Sequence, residues 1–184
     1  SACNHQVKED RYRVVDQKES IPPILRPDNV VAVSLRAIAE RFDLEWASDE
    51  SDTELTGISM NTADLRRGDL FVAMPGLKTH GANFIQKAKD AGAVAVVTDS
   101  EGAKLAQGMG LPTLLLEHPR AHLGELAAFV YGNLPGTMPK LFATTGTNGK
   151  TSTSYLLEAM LRQLGEVTGL TSTAERHIAG EVIV

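Results

Sequence analysis

Apolar residues recur along this chain at two different spacings, which together predict alternating helices and strands. Leu35, Ile38, Ala39 and Phe42 fall at helical spacing behind a candidate N-cap, Ser34, and predict a short amphipathic helix. Further along, short apolar runs predict strands at residues 57–60, 70–74, 93–98 and 113–116. The intervening stretches predict helices at residues 82–91, 101–108 and 122–131. This alternation predicts an α/β fold.

The positions of proline and glycine residues divide the chain into four parts. Residues 1–30 are polar and aperiodic and predict a loosely ordered arm, residues 31–134 form a first domain, and residues 135–139 read as a linker. Residues 140–184 predict a strand, a loop, a helix, a strand and a hairpin around Gly180. A parallel sheet needs helices on both faces, and about 45 residues are too few for that. We therefore expect this chain to be a piece of a longer protein.

A glycine-containing loop at Gly146–Ser152 is the strongest chemical signal in the sequence. It follows a predicted buried strand at residues 140–144 and precedes a predicted helix with an apolar stripe formed by Leu156, Leu157, Met160, Leu161 and Leu164. Backbone N–H groups and the positive end of the helix dipole would surround a phosphate there. Lys150 would reach the β- and γ-phosphates, and Thr151 would offer a hydroxyl to magnesium. The strict P-loop pattern requires glycine at Thr144, so this is a variant.

The loop Gly-Thr-Asn-Gly-Lys-Thr at residues 146–151 resembles that of the Mur ligases, which build the peptide stem of cell-wall precursors. Residues 56–62, 67–76 and 80–85 resemble the uridine-nucleotide-binding domain of the same family. The segment Gly169–Thr173 and the loop favour the branch that adds the third residue over the dipeptide-adding branch. At residues 61–63 Asn-Thr-Ala stands in place of the usual Asp-Ser-Arg, which keeps the hydroxyl and loses the flanking charges.

The resemblance implies a small N-terminal α/β uridine-nucleotide-binding domain followed by the start of a P-loop, parallel-sheet ATPase domain. It implies ligation of a diamino acid, meso-diaminopimelate or L-lysine, to UDP-N-acetylmuramoyl-L-alanyl-D-glutamate through an acyl phosphate, with ATP and magnesium. Further ligands and domains needed for turnover would lie outside this chain. The alternatives are the dipeptide-adding ligase, a folylpolyglutamate synthetase-like enzyme, and a non-catalytic UDP-sugar-binding module.

The resemblance also assigns roles to individual residues. Lys150 is the expected catalytic residue, and Thr151 the expected magnesium ligand. The expected ATP-binding residues are Gly146, Thr147, Asn148, Gly149, Lys150, Thr151 and Ser152. The expected UDP-sugar-binding residues are Met60, Thr62, Leu77, Lys78 and Thr79.

Composition and residue spacing limit the kinds of partner and site that this chain can have. A net charge of −5 argues against nucleic-acid binding through bulk electrostatics. No apolar run approaches the roughly 18 residues of a membrane span, and the charged N-terminus has no signal-peptide core, so we expect a cytoplasmic monomer without membrane partners. Cys3 is the single cysteine and cannot form an internal disulfide. His80, His118 and His177 lack metal-ligand spacing, and Asp69 is expected to hold the turn before it through its carboxylate.

Overall fold

The computed structural model describes residues 26–27, 30–133 and 135–183. The predicted arm lies outside these residues except for positions 26, 27 and 30, and so do Cys3, Leu134 of the first predicted domain and Val184. The chain divides into two compact units, one of them Arg26–Lys140 and the other containing Leu141–Val184. Each unit is described separately below.

The first unit is built on a five-stranded sheet of β2 (Glu45–Ser48), β4 (Gly57–Ser59), β5 (Asp69–Ala73), β6 (Ala93–Thr98) and β7 (Thr113–Leu115). The strands lie in the order β2-β7-β6-β5-β4. Neighbours from β4 to β7 pair in parallel, and β2 pairs with β7 antiparallel. The predicted α/β fold is therefore confirmed, and the parallel strands lie in the first unit, whereas the resemblance implies a parallel sheet for the ATPase domain that begins at residue 140. The edge strand β2 and the small antiparallel pair β1 (Val33–Ser34) and β3 (Glu54–Leu55) are additions to the predicted elements.

Helices cover both faces of this sheet. The helices are α1 (Leu35–Phe42), a 3-10 helix (Gly81–Phe84) that continues into α2 (Ile85–Asp90), α3 (Ser100–Ala106) and α4 (Pro119–Val130). Ser34 caps α1 as predicted, because its hydroxyl accepts the N–H of Ala37 at 3.1 Å. In the described residues no helix is long and apolar enough to cross a membrane.

Alternate residues of strand β5 supply the two cores of the first unit. Leu70 and Val72 pack with α1 and α4 on one face, and Phe71 and Ala73 pack with α2 and α3 on the other. Because β5 is buried on both faces, its sequence reads as a continuous apolar run. Full burial of each large apolar side chain contributes about 1.5–3 kcal/mol relative to exposure. The sheet is thus packed between two layers of helices.

The second unit contains helix α5 (Lys150–Gln163) and a three-stranded antiparallel sheet of β8 (Gly169–Thr171), β9 (Arg176–Ile178) and β10 (Glu181–Val182). The register pairs Leu170 with His177 and His177 with Val182. The predicted helix, the strand after it and the hairpin around Gly180 are confirmed.

Two expectations for the second unit are corrected. Residues 140–144 form no strand, and Leu141 and Phe142 are 78% and 64% exposed. A short apolar run becomes a strand only where another strand supplies backbone partners, and no described strand pairs with this segment. The predicted apolar stripe of α5 is also largely exposed, at Leu156, Met160 and Leu164, whereas Glu158 is buried. The described residues of this unit therefore contain no parallel sheet.

Candidate functional site

A cavity of about 560 Å³ opens at the carboxyl ends of the parallel strands in the first unit. The segments that follow β4 and β5 form much of its wall, at Met60–Thr62 and Met74–Gly76. In open parallel α/β sheets ligands bind at this end, because the loops after adjacent strands converge there. The volume lies within the range of about 300–1,000 Å³ that is typical of small-molecule sites. The fold therefore marks this cavity as the candidate ligand site.

The turn after β4 is shaped by the side chain of Asn61. Its Oδ1 accepts the N–H of Ala63 at 3.1 Å, and its Nδ2 donates to Asp64 Oδ2 at 2.8 Å. Asparagine stabilises tight turns through such side-chain-to-backbone bonds. The turn sets Thr62 half-buried in the cavity wall, and no described residue forms a hydrogen bond with the Thr62 hydroxyl.

The second loop of the cavity is fixed by close backbone contact. Gly81 N donates to Met74 O at 2.9 Å, and a Cβ on Gly81 would lie 3.0 Å from Met74 N. A side chain at position 81 would push these two segments apart. Thr79 also lines the cavity, and its hydroxyl accepts from Asn83 Nδ2 at 3.0 Å.

His80 joins this loop to helix α3. Its Nδ1 accepts the N–H of Ala82 at 3.0 Å, so Nε2 carries the proton in the neutral ring and donates to Asp99 Oδ1 at 3.0 Å. Asp99 in turn caps α3 by accepting the N–H of Gly102 at 2.8 Å. His80 is therefore a structural link beneath the cavity loop.

The structure sorts the five expected UDP-sugar residues into two groups. Met60, Thr62 and Thr79 line the cavity. Leu77 and Lys78 lie in the same turn as Thr79, but both are exposed and neither lines the cavity. Their assignment to this site stays a prediction.

The glycine loop of the second unit leads directly into α5. Gly149 is the residue before the helix and has φ of 78°, a left-handed conformation that favours glycine. No side chain caps this helix end. Lys150 Nζ donates to the carbonyl oxygens of Gly146 and Thr147 at 2.7 and 3.4 Å. The ammonium group therefore lies against the loop, beside uncapped helix N–H groups that suit an anion.

Nucleotide and magnesium fit the groups that this loop presents. The expected ATP-binding residues are all exposed, from Gly146 to Ser152. Mg²⁺ keeps several waters and is bound through few protein groups together with substrate phosphates, so a single hydroxyl at Thr151 suits it. Among the described residues no cluster of three or more His, Cys, Asp or Glu is placed to hold a metal alone.

A charged cluster in the second unit centres on His177, which is buried together with Glu158, whereas Glu175 is partly exposed. Its Nδ1 lies 2.7 Å from Glu158 Oε2, and its Nε2 lies 3.1 Å from Glu175 Oε2. Ionised carboxylates only accept hydrogen bonds, so an imidazolium, in which both ring nitrogens donate, satisfies both contacts. The bond to Glu158, with the bond to Glu175 next, raises the pKa of His177. The bond to His177, followed by the Tyr155 hydroxyl at 2.8 Å, lowers the pKa of Glu175.

Sequence reasoning missed this cluster and part of the cavity wall. Glu158 and His177 are 19 residues apart, and only the docking of β9 on α5 brings them together. Lys87 and Arg120 line the cavity although neither lies in a sequence motif that resembles the family, and Phe84, which lies within residues 80–85, has no role assigned from the sequence. The one available signal was the rule that loops at the carboxyl ends of parallel strands converge, which covers Arg120 after β7.

Comparison with known families agrees with this architecture. The profile described as "Mur ligase family, catalytic domain" matches residues 54–131, the segment that carries most of the parallel sheet and the cavity. Together with the sequence relatives described next, this match shows that the chain belongs to the Mur ligase family. The resemblance stated from the sequence is confirmed.

The curated relatives place it near one branch of that family. The chain is 46% identical over 162 residues to a UDP-N-acetylmuramyl-tripeptide synthetase of Leifsonia xyli subsp. xyli, covering 88% of this chain and 31% of that protein. It is 44% identical over 162 residues, with the same coverages, to a UDP-N-acetylmuramoyl-L-alanyl-D-glutamate–2,6-diaminopimelate ligase of Streptomyces avermitilis. The chain thus spans about a third of the length of these relatives.

Solved structures share the fold. One described as a UDP-N-acetylmuramoyl-L-alanyl-D-glutamate–2,6-diaminopimelate ligase aligns with a TM-score of 0.59 and 22% identity, over 83% of this chain and 30% of that one. Another, the D-alanyl-D-alanyl-adding ligase of Acinetobacter baumannii, aligns with a TM-score of 0.55 and 22% identity, over 73% and 29%. At this identity the likeness concerns the fold alone.

Proposed function

We propose that this chain supplies the UDP-sugar cavity and the ATP loop of a ligase that adds a diamino acid to UDP-N-acetylmuramoyl-L-alanyl-D-glutamate. The observation that carries the proposal is the 46% identity over 162 residues to a tripeptide synthetase. The match covers 88% of this chain, so it includes both the cavity of the first unit and the glycine loop. The diamino acid is meso-diaminopimelate or L-lysine.

The domain roles follow from the same proposal. The uridine nucleotide binds to residues 31–134. The linker at residues 135–139 joins this domain to the ATP-binding domain, which begins with residues 140–184. Because the relatives are about three times longer, the complete reaction belongs to a chain of the relatives' length. We propose that the reaction takes place in the cytoplasm, where its nucleotide substrates are found, and that the enzyme is a monomer.

Lys150 and the loop from Gly146 to Ser152 act on the phosphates. Bound MgATP supplies the phosphoryl group that activates the glutamyl carboxylate as an acyl phosphate. The ammonium of Lys150 neutralises charge on that phosphoryl group, the loop N–H groups hold it in place, and Thr151 offers its hydroxyl to magnesium. The hydrogen bonds from Lys150 Nζ to Gly146 O and Thr147 O support this placement of the charge.

Ligand-induced thermal shifts test the proposal on this chain. A ligand that binds only the native state stabilises it by about 2.7 kcal/mol at a hundred times its Kd. We expect UDP-N-acetylmuramoyl-L-alanyl-D-glutamate to raise the melting temperature of the first unit and MgATP that of the second. Folates should raise neither. A rise in melting temperature with folates and none with the UDP-dipeptide would contradict the proposal and favour a folylpolyglutamate synthetase-like enzyme.

Ligation is tested in a chain of the relatives' length. Phosphate release should require ATP, the UDP-dipeptide and the diamino acid together. This chain alone, under the same conditions, should release none. Binding of the UDP-dipeptide by both chains without phosphate release in the longer one would favour the non-catalytic binding module.

A further inference from the structure

The cavity of the first unit carries only positive charge on its wall. The described lining residues include Lys87 and Arg120 and no aspartate or glutamate. This is unexpected for a chain with 23 acidic and 18 basic residues. A concave wall with one sign of charge attracts ligands of the opposite sign. The cavity therefore suits an anion.

Arg120 is held at the cavity mouth by a single backbone contact. Its Nη2 donates to the carbonyl oxygen of Pro75 at 3.1 Å. A guanidinium has five N–H donors in a planar fork, so most of its donors remain for a ligand. Within the described residues no carboxylate lies at ion-pair distance from Arg120, in contrast to Arg26, which is paired with Asp69 at 2.6 Å. Arg120 is thus tied to the cavity loop through one nitrogen without being neutralised.

Lys87 supplies the second charge from helix α2. It lies one turn beyond Phe84 on the same helical segment and lines the same cavity. No ion pair or hydrogen bond of its ammonium group with a described residue is found. Its neighbour Lys89, by comparison, donates to Met109 O at 2.8 Å. Two cations from different elements therefore face one cavity with their charges uncompensated by protein.

The same wall has an apolar part. Met60 and Phe84 are 55% and 44% exposed, and both line the cavity. An exposed aromatic face suits stacking of a flat base. An apolar surface for a ring beside two cations for phosphates matches the chemistry of a nucleoside diphosphate.

We propose that Arg120 and Lys87 hold the diphosphate of the UDP-sugar, and that Lys78, the lysine implied by the family resemblance, does not. This inference rests on the proposed function of the cavity. Arg120 presents a planar fork that can bond two phosphate oxygens while it keeps Pro75 in place. Lys87 acts as a point charge on the other side of the phosphate chain.

Variants that remove one charge at a time test this assignment. Arg120→Gln and Lys87→Gln should each weaken UDP binding by about tenfold or more, because each removes a hydrogen bond to a charged group. Uridine, which has no phosphate, should bind both variants as it binds the wild type. Lys104→Gln is the matched control, because Lys104 is an exposed lysine of α3 outside the cavity. Affinities are measured by NMR titration at constant ionic strength.

Arg120→Lys separates the contribution of the positive charge from that of the planar guanidinium. It keeps the positive charge and loses the planar fork, so UDP affinity should fall by less than in Arg120→Gln. Lys87→Gln removes no hydrogen bond or ion pair with a described residue, so we expect its melting temperature without ligand to match that of the wild type.

Three outcomes overturn the assignment. Unchanged UDP affinity in both Arg120→Gln and Lys87→Gln, with a wild type that binds UDP, contradicts this inference alone. A loss confined to Lys78→Gln does the same and returns the diphosphate to the exposed turn. A wild type that binds neither UDP nor the UDP-dipeptide contradicts the proposed function and this inference together.

Discussion

His177 Nδ1 lies 2.7 Å from Glu158 Oε2, and this pair joins strand β9 to helix α5 in the second unit. Glu158 is buried at a position of α5 where the sequence pattern placed no core residue. The Thr168 hydroxyl reaches the other Glu158 oxygen at 3.5 Å, and Tyr155 packs edge-on against the His177 ring at 5.3 Å between centroids. The hairpin is therefore held on the helix by charge as well as by packing.

The stability of this hairpin should depend on pH in two directions. The pKa of His177 is raised above 6.5, so its contribution is complete below about pH 6.5 and is lost as the pH rises through the folded-state pKa. The pKa of Glu175 is lowered below 4.5, so its contribution is complete above about pH 4.5 and is lost as the pH falls through its folded-state value. Hydrogen exchange of the β9 and β10 amides, corrected for intrinsic rates, should show greatest protection between these limits.

Two histidine variants control this experiment. His177→Gln should abolish the loss of protection at alkaline pH, because it removes the titrating group. His122→Gln should leave it intact, because His122 is a half-buried residue of α4 in the first unit, away from β9 and β10 in sequence. Identical alkaline profiles in the wild type and His177→Gln would contradict the role of the imidazolium.

A buried ion pair in the first unit gives a second prediction. The side chains of Arg26 and Asp69 are 6% and 1% exposed, and Asp69 Oδ2 also accepts the N–H of Arg66 at 2.7 Å. Arg26→Met leaves a buried carboxylate without its cation and should lower the free energy of unfolding by about 3–5 kcal/mol, measured by urea denaturation. Arg36→Met, which breaks an exposed pair with Glu50, should cost at most about 1 kcal/mol.

A double variant separates the pair from the arginine itself. Arg26→Met combined with Asp69→Asn removes both charges and should recover part of the stability lost in Arg26→Met. If the double variant were less stable than Arg26→Met by the full cost of a second defect, the two side chains would act independently.

The first unit was largely predictable because its signals are local. Strand β6 begins at Ala93 and ends at Thr98 as predicted, since a run that is buried on both faces is short, apolar and bounded by turns. Ser34 was identified as the cap of α1 because only a few residue types fill that position. Asp69 was expected to hold the turn before it, and its bond to Arg66 N confirms this.

The second unit was less predictable because its contacts are long-range. The apolar run around Leu141 and Phe142 signals a strand, but no described strand pairs with it. Glu175 lies only two residues before His177, but the second partner, Glu158, comes from α5 through tertiary packing. For the cavity, resemblance identified Thr62 and Thr79, whereas Lys87 and Arg120 required the topology of the sheet.

Lys150 gives a prediction for the ATP loop. Lys150→Ala should remove the melting-temperature shift with MgATP while leaving the melting temperature without nucleotide unchanged, because the side chain is exposed and bonds only the loop carbonyls of Gly146 and Thr147. In a chain of the relatives' length it should abolish ligation. Lys140→Ala, an exposed lysine before the loop, is the control. Ligation retained within about tenfold, roughly 1.4 kcal/mol in the barrier, would remove Lys150 from this role.

Thr62 gives the sharpest test of the uridine site, because the family signature around it is altered. Its hydroxyl lies in the cavity wall without a described protein partner, which leaves it available to a ligand. Thr62→Val keeps the shape and removes the hydroxyl, so a ligand group that bonds it is left unsatisfied, at a cost of about 1–3 kcal/mol in affinity.

Calorimetric titration of UDP-N-acetylmuramoyl-L-alanyl-D-glutamate against the wild type and Thr62→Val measures this cost. ATP affinity should stay the same, since we propose that ATP binds the loop from Gly146 to Ser152 in the other unit. Thr56→Val serves as the matched control, because Thr56 is an exposed threonine of the same unit that does not line the cavity. Equal affinities for the UDP-dipeptide in the wild type and Thr62→Val would mean that the uridine is held elsewhere, and a parallel loss of ATP binding would indicate misfolding instead.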